Sequence, residues 1–296
     1  MRKLISLFAV SATLLAASAD ARERVFEPSG DWQLRSAAEF CAVTRDFTDA
    51  TGASIRLQLQ SFGPAQSFKV TMVGDGLPLR EGRRRGVAQL QFRFEPDPDW
   101  RRAPGMTGYR DGADMLTFAG SLHTNSEVQR LSKVAPDEPE PLFDFDRARA
   151  AEIIRLGLAY PSRDDTVLAI GPMIRPLGQI QDCGRTLVQK WGYTSSVLDR
   201  VRKAARLSNP KKMIAVLLRD MRRQKLGHND AIYFRADIDE EGRVANCIIQ
   251  HPALGSDVEA VVCAAVQETA EFDPALDADG NPVKSLYFSM LAFGVR

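Results

Sequence analysis

Three histidines are the side chains best suited to acid–base or metal chemistry near neutral pH, and they are dispersed along the chain. His123 ends a strand-like segment, His228 follows a helical segment, and His251 stands next to a proline. The sequence contains no HExxH motif, no G-x-S-x-G nucleophile elbow and no phosphate-binding P-loop. We therefore expect no catalytic residues, no cofactor and no enzymatic activity, with a hydrolytic enzyme as the less favoured alternative.

One acidic segment, Asp237 to Gly242, has the oxygen spacing that opens an EF-hand calcium loop. Acidic side chains occupy alternate positions, and glycine stands at the sixth. Ile248, however, occupies the twelfth position, where such a loop needs a bidentate Glu. The same residues are typical of a β-hairpin turn, so we favour a hairpin and predict no metal site.

The four cysteines are an even set that could form two disulfides in an oxidising compartment. They are Cys41, Cys183, Cys247 and Cys263, and their spacing differs from the paired C-x-x-C ligands of structural zinc. Four cysteines allow three pairings. We favour the pairing closest in sequence, Cys247 with Cys263 and Cys41 with Cys183, for which loop entropy predicts stabilisation of about 3 and about 5 kcal/mol.

The first 21 residues have the pattern of a cleavable signal peptide. Arg2 and Lys3 provide a positive start, an uncharged run rich in Leu and Ala follows, and Ala19 and Ala21 offer small residues for signal peptidase. A membrane anchor is the competing interpretation, but the run is shorter than the roughly 20 residues that span a bilayer. We expect residues 1–21 to be removed and the mature protein to reside in the periplasm.

The composition is that of a globular protein with balanced charge. Of the 296 residues, 44% are hydrophobic, and 39 Lys and Arg oppose 38 Asp and Glu, for a net charge of +1. A chain without a net field does not attract nucleic acid or anionic lipid in general. Neither is a predicted partner.

Residues 22–134 are predicted to form a β-rich N-terminal domain. Four segments alternate apolar and polar residues as strands do: SIRLQLQ, SFKVTMV, VAQLQFRF and DMLTFAGSL. Such a set favours an antiparallel sheet or a sandwich. Three consecutive arginines, Arg83 to Arg85, lie between glycines, and we interpret them as a solvated hairpin tip rather than a phosphate-binding patch.

Residues 135–208 are predicted to be a linker and a helical or mixed middle region that packs on the N-terminal domain. Pro and acidic residues crowd into 135–146, as in a boundary linker. Helices are predicted for DRARAAEIIRLGLAY and PLGQIQDCGRTLVQKWG, with a buried strand in DTVLAIG between them. Cys183 lies on the apolar stripe of the second helix, which should face the body of the protein.

Residues 209–296 contain signals for a helix, a hairpin, a second helix and a final strand. Asn209 and Pro210 suit the start of the first helix. The segment AIYFRADIDEEGRVANCIIQ predicts two strands around a turn, and SDVEAVVCAAVQETA predicts a helix with a capping box. The last segment, SLYFSMLAFGV, is predicted to join the same sheet.

This C-terminal series resembles the C-terminal domain of the TonB family. The corner FDPALDADGNPV matches the family corner in order at Phe272, Pro274, Ala275, Gly280, Pro282 and Val283. The likeness covers residues 209–296, and the positions of Trp32, Cys41, Cys183 and Trp191 also look like those of secreted TonB-domain proteins of alphaproteobacterial type. The predicted fold class is therefore α+β: the β-rich N-terminal domain, the helical or mixed middle region, and a small TonB-like C-terminal domain with an antiparallel sheet packed by two helices.

The resemblance implies a role in envelope transport, through a non-enzymatic protein that binds an extended peptide by β-strand addition. The predicted docking edge comprises Ser285, Leu286, Tyr287, Phe288, Ser289, Met290 and Leu291. The implied partner is an outer-membrane TonB-dependent receptor or another envelope protein. The chain lacks the uncleaved membrane helix and the long Pro-rich spacer of a TonB energy transducer, so energy coupling by this protein alone is not predicted. The alternative is a structural envelope protein whose sheet edges are covered.

Overall fold

The structure is a computed structural model that describes residues 23–63, 67–77, 79, 86–124, 126–127, 145–159, 165–223, 231–250 and 256–292. Several sequence predictions fall on other positions. The signal peptide at residues 1–21, Arg83 to Arg85, positions 135–144 of the linker, His228 and His251 lie outside the described residues.

Ten strands form the larger sheet. They are β1 (Arg24–Pro28), β2 (Gln33–Ser36), β3 (Cys41–Thr48), β4 (Ser54–Ser61), β5 (Ser67–Val73), β6 (Gly86–Glu95), β7 (Arg101–Arg110), β8 (Ala113–Ser121), β9 (Arg155–Ala159) and β10 (Thr166–Leu168). The alternation of side chains builds this sheet: in β4, Ile55, Leu57 and Leu59 are buried, whereas Arg56 between them is exposed.

This sheet closes on itself. Hydrogen-bonded neighbours follow the order β1, β10, β9, β6, β7, β8, β5, β4, β3, and the far end of β3 then pairs with β1 at Glu27 and Pro28. The first half of β3 pairs with β2 on the same side. Nine strands therefore form a ring, in which only the β1–β10 pair is parallel, and β2 is attached outside it.

Apolar side chains fill the inside of the ring. The largest fully buried ones include Phe26, Phe47, Phe94, Leu90 and Met72. Packing of this kind produces a solid core, as expected for a closed sheet whose inward positions carry large side chains.

The helix predicted for DRARAAEIIRLGLAY is wrong beyond its first half. Helix α1 (Arg147–Glu152) is capped by Asp146, whose side chain accepts a hydrogen bond from the Arg149 backbone N–H. Ile153 then adopts an extended conformation, and β9 begins at Arg155. The alternation in RLGLA explains the change, because Leu156 and Leu158 both enter the core of the ring when this segment lies between β6 and β10.

The predicted α+β fold class is wrong. Strands make up 44% of the structure, the helices are few and short, and a closed nine-stranded sheet dominates. The predicted helical or mixed middle region instead supplies β9 and β10, which complete the ring. The C-terminal sheet packs directly against the outside of that ring, rather than forming the small TonB-like domain that the sequence predicted.

The remaining elements follow the ring in the chain. They are α2 (Ile174–Lys190), α3 (Ser195–Leu198), β11 (Arg206–Leu207), α4 (Pro210–Arg223), β12 (Ala231–Ile238), β13 (Val244–Ile249), α5 (Ser256–Thr269), β14 (Phe272–Asp273), β15 (Ala275–Leu276), β16 (Pro282–Val283) and β17 (Ser285–Ala292). Three of these strands form a sheet in the order β13, β12, β17, and two short pairs, β11 with β14 and β15 with β16, flank it.

Apolar side chains from α4 and α5 cover one face of this smaller sheet. Ile232, Phe234, Ala236 and Ile238 of β12 belong to the same buried cluster as Leu217 and Val262 from these helices. A second buried cluster thus forms beside the core of the ring.

Both favoured disulfides are present. Cys41 of β3 bonds Cys183 of α2, with Cα atoms 6.1 Å apart, and holds that helix against the ring. Cys247 of β13 bonds Cys263 of α5, with Cα atoms 5.4 Å apart, and joins the smaller sheet to its covering helix. The sequence-local pairing is therefore confirmed.

Among the described residues, no helix combines the length and the apolar character needed to cross a bilayer.

Candidate functional site

Strand β17 lies at the end of the smaller sheet. It pairs with β12 over eight positions, from Ser285 opposite Ile238 to Ala292 opposite Ala231, without a shift in register. In the part of the chain that the structure describes, no strand pairs with its other side. The backbone groups on that side therefore have no strand partner among the described residues.

The direction of the β17 backbone groups follows from one hydrogen bond on the neighbouring strand. The Gln250 N–H donates to the Tyr233 carbonyl oxygen at 2.8 Å, so the backbone of Tyr233 points away from β17. Because the direction of the backbone groups alternates along a strand, the N–H and C=O groups of Phe234 point towards β17, where Ser289 is the partner of Phe234 in register. The backbone N–H and C=O groups of Ser289 therefore point towards β12, whereas those of Phe288 and Met290 point to the unpaired side of β17.

The opposite edge of the sheet is less regular. Strand β13 has six residues, and its register with β12 shifts between Asp237 and Ile238, which leaves Ala245 as an extra residue. Such a bulge bends a strand and impairs pairing along its edge. Of the two edges, β17 is the longer and the more regular template.

The side chains of β17 alternate between two environments. Tyr287 and Leu291 contact the cluster covered by α4 and α5, whereas Leu286 and Phe288 pack against the C-terminal end of α2. The Phe288 ring also lies against Gly63, where an added Cβ would come within 2.5 Å of it. Met290 is 38% exposed, whereas Ser285, Leu286 and Leu291 are buried.

The predicted family corner forms a short hairpin that leads into β17. Ala275 pairs with Val283 and both are buried, and Pro282 pairs with Leu276. The Asp277 carboxylate accepts hydrogen bonds from the backbone N–H groups of Asp279 and Asn281, and Gly280 has a φ of 81°. At the start of the corner, Phe272 is buried and its ring lies 4.8 Å from that of Tyr287. Pro274 follows it and lies close to Gly242.

A buried charge cluster supports β12 from the side of the ring. The side chain of Arg235 is only 5% exposed; it lies 3.2 Å from Glu39 and 3.2 Å from Asp237, and its guanidinium stacks 4.0 Å from the Trp191 ring. The Trp191 indole N–H in turn donates to the Ala38 carbonyl. Burial raises the pKa of Glu39, Arg235 lowers it in part, and Asp237 raises it further. Guanidinium, carboxylates and indole together fix the orientation of the small sheet on the ring.

Comparison with known proteins gives no relative. No protein-family model, no curated protein and no solved structure matches the chain. The resemblance of residues 209–296 to the TonB family therefore stays a prediction from the sequence.

The sequence did not reveal the contacts behind the docking edge. Glu39 and Arg235 are 196 positions apart, a separation that no local sequence motif spans. The fold alone brings the two residues together. Trp191 was singled out in the sequence only as part of the resemblance to secreted TonB-domain proteins, and nothing in the local pattern predicted its contact with Arg235.

Of the three histidines considered from the sequence, the structure describes His123, which lies two residues beyond the end of β8. The Asp239 carboxylate of the acidic turn accepts hydrogen bonds from the backbone N–H groups of Glu241 and Arg243, as in an ordinary hairpin turn. Within the ranges that the structure describes, no group of three or more His, Cys, Asp or Glu side chains is placed to hold a metal ion.

Proposed function

We propose that this protein is a periplasmic, non-enzymatic binding protein that docks an extended peptide along β17 by β-strand addition. The observation that carries the proposal is the position of β17 at the end of its sheet, with eight residues in unbroken register. Main-chain hydrogen bonds would supply most of the affinity, as in other complexes of this kind. The proposed partner is the N-terminal segment of an outer-membrane TonB-dependent receptor, or of another envelope protein.

The surroundings of β17 support this role. Leu286 and Phe288 are anchored on α2 and Gly63, so the strand is held in place before a peptide arrives. An edge that is already ordered binds with a smaller loss of conformational entropy. The bulge in β13 makes the opposite edge a poorer site.

Amide hydrogen exchange tests the edge directly. In the free protein, the amides of Ser289 and Leu291 should be protected by β12, whereas those of Phe288 and Met290 should exchange fast. Synthetic peptides with the sequences of receptor N-terminal segments should then protect Phe288 and Met290. If these two amides are already protected in the free protein, the edge is covered, and the structural alternative replaces the binding role.

A pair of substitutions separates backbone pairing from side-chain contact. Met290→Pro removes an outward N–H from an edge position, where proline is tolerated. We expect it to weaken peptide binding about tenfold, the loss associated with one or two hydrogen bonds. The matched control Met290→Ala removes the side chain, keeps the N–H and should bind within about twofold of the parent. Equal binding by both variants, measured by fluorescence anisotropy, would contradict strand addition.

A further inference from the structure

The balanced total charge of the chain conceals one strongly basic segment. Residues 199–223 carry nine Lys and Arg and two Asp, whereas the whole chain carries 39 Lys and Arg and 38 Asp and Glu. The remainder of the chain is therefore net acidic. Five of the nine cations belong to helix α4 (Pro210–Arg223). A positive field that the molecule as a whole lacks is thus concentrated at this helix.

Helix α4 and the ring lie on opposite faces of the small sheet. Successive side chains of a strand point to opposite faces, and in β12 Phe234 belongs to the cluster covered by α4 and α5, whereas Tyr233 stacks on Phe62 beside the ring. The helix is therefore an outer layer of the molecule. The side of α4 that faces away from the sheet is exposed in the described structure.

This outward side of α4 is occupied almost entirely by cations. Met213, Leu217 and Met221 form the buried stripe of the helix. At about 100° per residue, the arc within about 60° of the opposite direction contains five cations and one small alanine. All are exposed, and together we call them the basic face: Lys211, Lys212, Ala215, Arg219, Arg222 and Arg223. The basic face is a row about 18 Å long.

Nearby carboxylates neutralise the basic face only in part. Three of its cations have acidic partners at 2.8 to 4.0 Å: Lys212 with Glu271, and Arg219 and Arg223 with Asp220. Glu268 also acts electrostatically on Arg219. Lys211 and Arg222 form no ion pair with any described residue, and the Arg222 guanidinium donates to the Leu218 carbonyl. Five cations thus oppose three carboxylates, and the face keeps a net positive charge.

The shape and the borders of the basic face suit an anionic lipid surface. The outside of a helix is convex and provides no cleft for a small ion, whereas a flat membrane can contact the whole row of cations at once. Beside the cations, Ile214 is 40% exposed and Leu218 is half-buried. Lys and Arg reach lipid phosphates through long apolar stems, and apolar neighbours are favourable at the depth of the headgroups.

We propose that α4 docks this protein on a bilayer that contains anionic phospholipids, with the basic face parallel to the membrane surface. Lys211 and Arg222 contact lipid phosphates most directly, because no described carboxylate competes for them. Met213 and Leu217 stay buried against the sheet, so the helix rests on the headgroups and binding depends on charge. Strand β17 takes no part, and the proposal does not depend on strand addition.

Vesicle sedimentation tests the lipid assignment. The protein is used without residues 1–21, as predicted for the exported chain, because that apolar segment would itself bind lipid. We expect binding to phosphatidylcholine vesicles with about 30% phosphatidylglycerol to be at least about tenfold tighter than to pure phosphatidylcholine. Salt at about 0.5 M should release the protein, because exposed charges are screened.

Three outcomes of this experiment would overturn the proposal. The first is absence of binding to the anionic vesicles at low salt. The second is binding that persists at high salt, which would indicate apolar insertion instead of contact through the basic face. The third is a single-stranded oligonucleotide that binds as tightly as the anionic vesicles, which would assign the face to nucleic acid.

A matched pair of double variants locates the binding. Lys211→Gln with Arg222→Gln should weaken binding to anionic vesicles about twentyfold, from about fivefold for each charge near the surface. Lys190→Gln with Arg175→Gln removes the same charges from exposed positions of α2 and should change binding by less than about twofold. All four side chains are exposed, so thermal unfolding should be unchanged. Equal losses in the two double variants would mean that net charge alone attracts the protein to lipid, and would overturn the role of α4.

Discussion

The ring of Tyr233 stacks on the ring of Phe62, with centroids 4.2 Å apart and planes inclined by 21°. Tyr233 belongs to β12 of the small sheet, and Phe62 follows β4 of the closed ring. A stacked aromatic pair contributes about 1 kcal/mol beyond its buried area. We expect the double-mutant cycle of Tyr233→Leu and Phe62→Leu to give a coupling of about 1 kcal/mol in urea unfolding.

A neighbouring pair serves as the control for that cycle. Phe40 contacts the edge of Phe62, with centroids 6.2 Å apart, and among the ring contacts of the described residues it has none with Tyr233. The cycle of Phe40→Leu with Tyr233→Leu should therefore show almost no coupling. Similar coupling in both cycles would mean that the substitutions disturb the region as a whole.

We expect the substitution of glycine by alanine to destabilise the protein by different amounts at two positions. Gly242 and Gly280 both have positive φ, at 78° and 81°, so Ala at either site is strained by about 1 kcal/mol. At Gly242 a Cβ would also lie 2.2 Å from the Phe272 carbonyl oxygen, whereas at Gly280 it would meet nothing within 4 Å. We expect Gly242→Ala to destabilise the protein by about 2 kcal/mol more than Gly280→Ala in chemical denaturation. Equal costs would contradict the close approach of the hairpin turn to the corner.

The half-buried position of Glu39 predicts a pH dependence. Burial raises the folded-state pKa of this carboxyl above its model-compound value of 4.5, against the opposing effect of Arg235. The folded state then binds the proton more readily than the unfolded state, so the contribution of Glu39 to stability is fully present below pH 4.5 and is lost as the pH rises through the raised pKa. The difference in unfolding free energy between the parent and Glu39→Gln should shift in favour of the parent as the pH falls from 7 to 4. A difference that stays constant over this range would show that Glu39 titrates normally.

The two disulfides should differ in their effect on stability. Cys41 and Cys183 are separated by 142 positions, and Cys247 and Cys263 by 16. Loop entropy predicts a loss of about 5 kcal/mol when the first pair is replaced by alanines and about 3 kcal/mol for the second. Urea unfolding of the two double variants measures these losses, and the reverse order would contradict the entropic explanation.

Local patterns in the sequence were sufficient to predict those strands of the ring in which apolar and polar residues alternate regularly. The segments that contain β4 and β5 were predicted because each apolar residue faces the core and each polar residue faces outward. Strand β7 was not predicted, since Pro104 and two glycines interrupt its alternation. The sequence predicts a helix where β9 lies, because the helix formers of α1 run directly into the alternating segment of β9.

Closure of the ring could not be predicted from local patterns. It depends on the parallel pair between Val25 and Val167 and on the contact of β1 with β3, and neither pair has a turn signal between its strands. The residues of the candidate edge β17 could be predicted from the resemblance of the sequence to the TonB family. The direction of the β17 backbone groups could not be predicted from the sequence, because it depends on the register of β17 with β12.

The position of β9 and β10 in the ring also affects the order in which the chain can become stable. Before Thr166 to Leu168 have been synthesised, β1 lacks its parallel neighbour, and β6 keeps an unpaired edge until β9 follows. A nascent or truncated chain of that length would expose two strand edges beside apolar side chains, the arrangement that promotes aggregation. Assembly of this protein is therefore expected to await its middle segment, and chaperone protection should matter most during that interval.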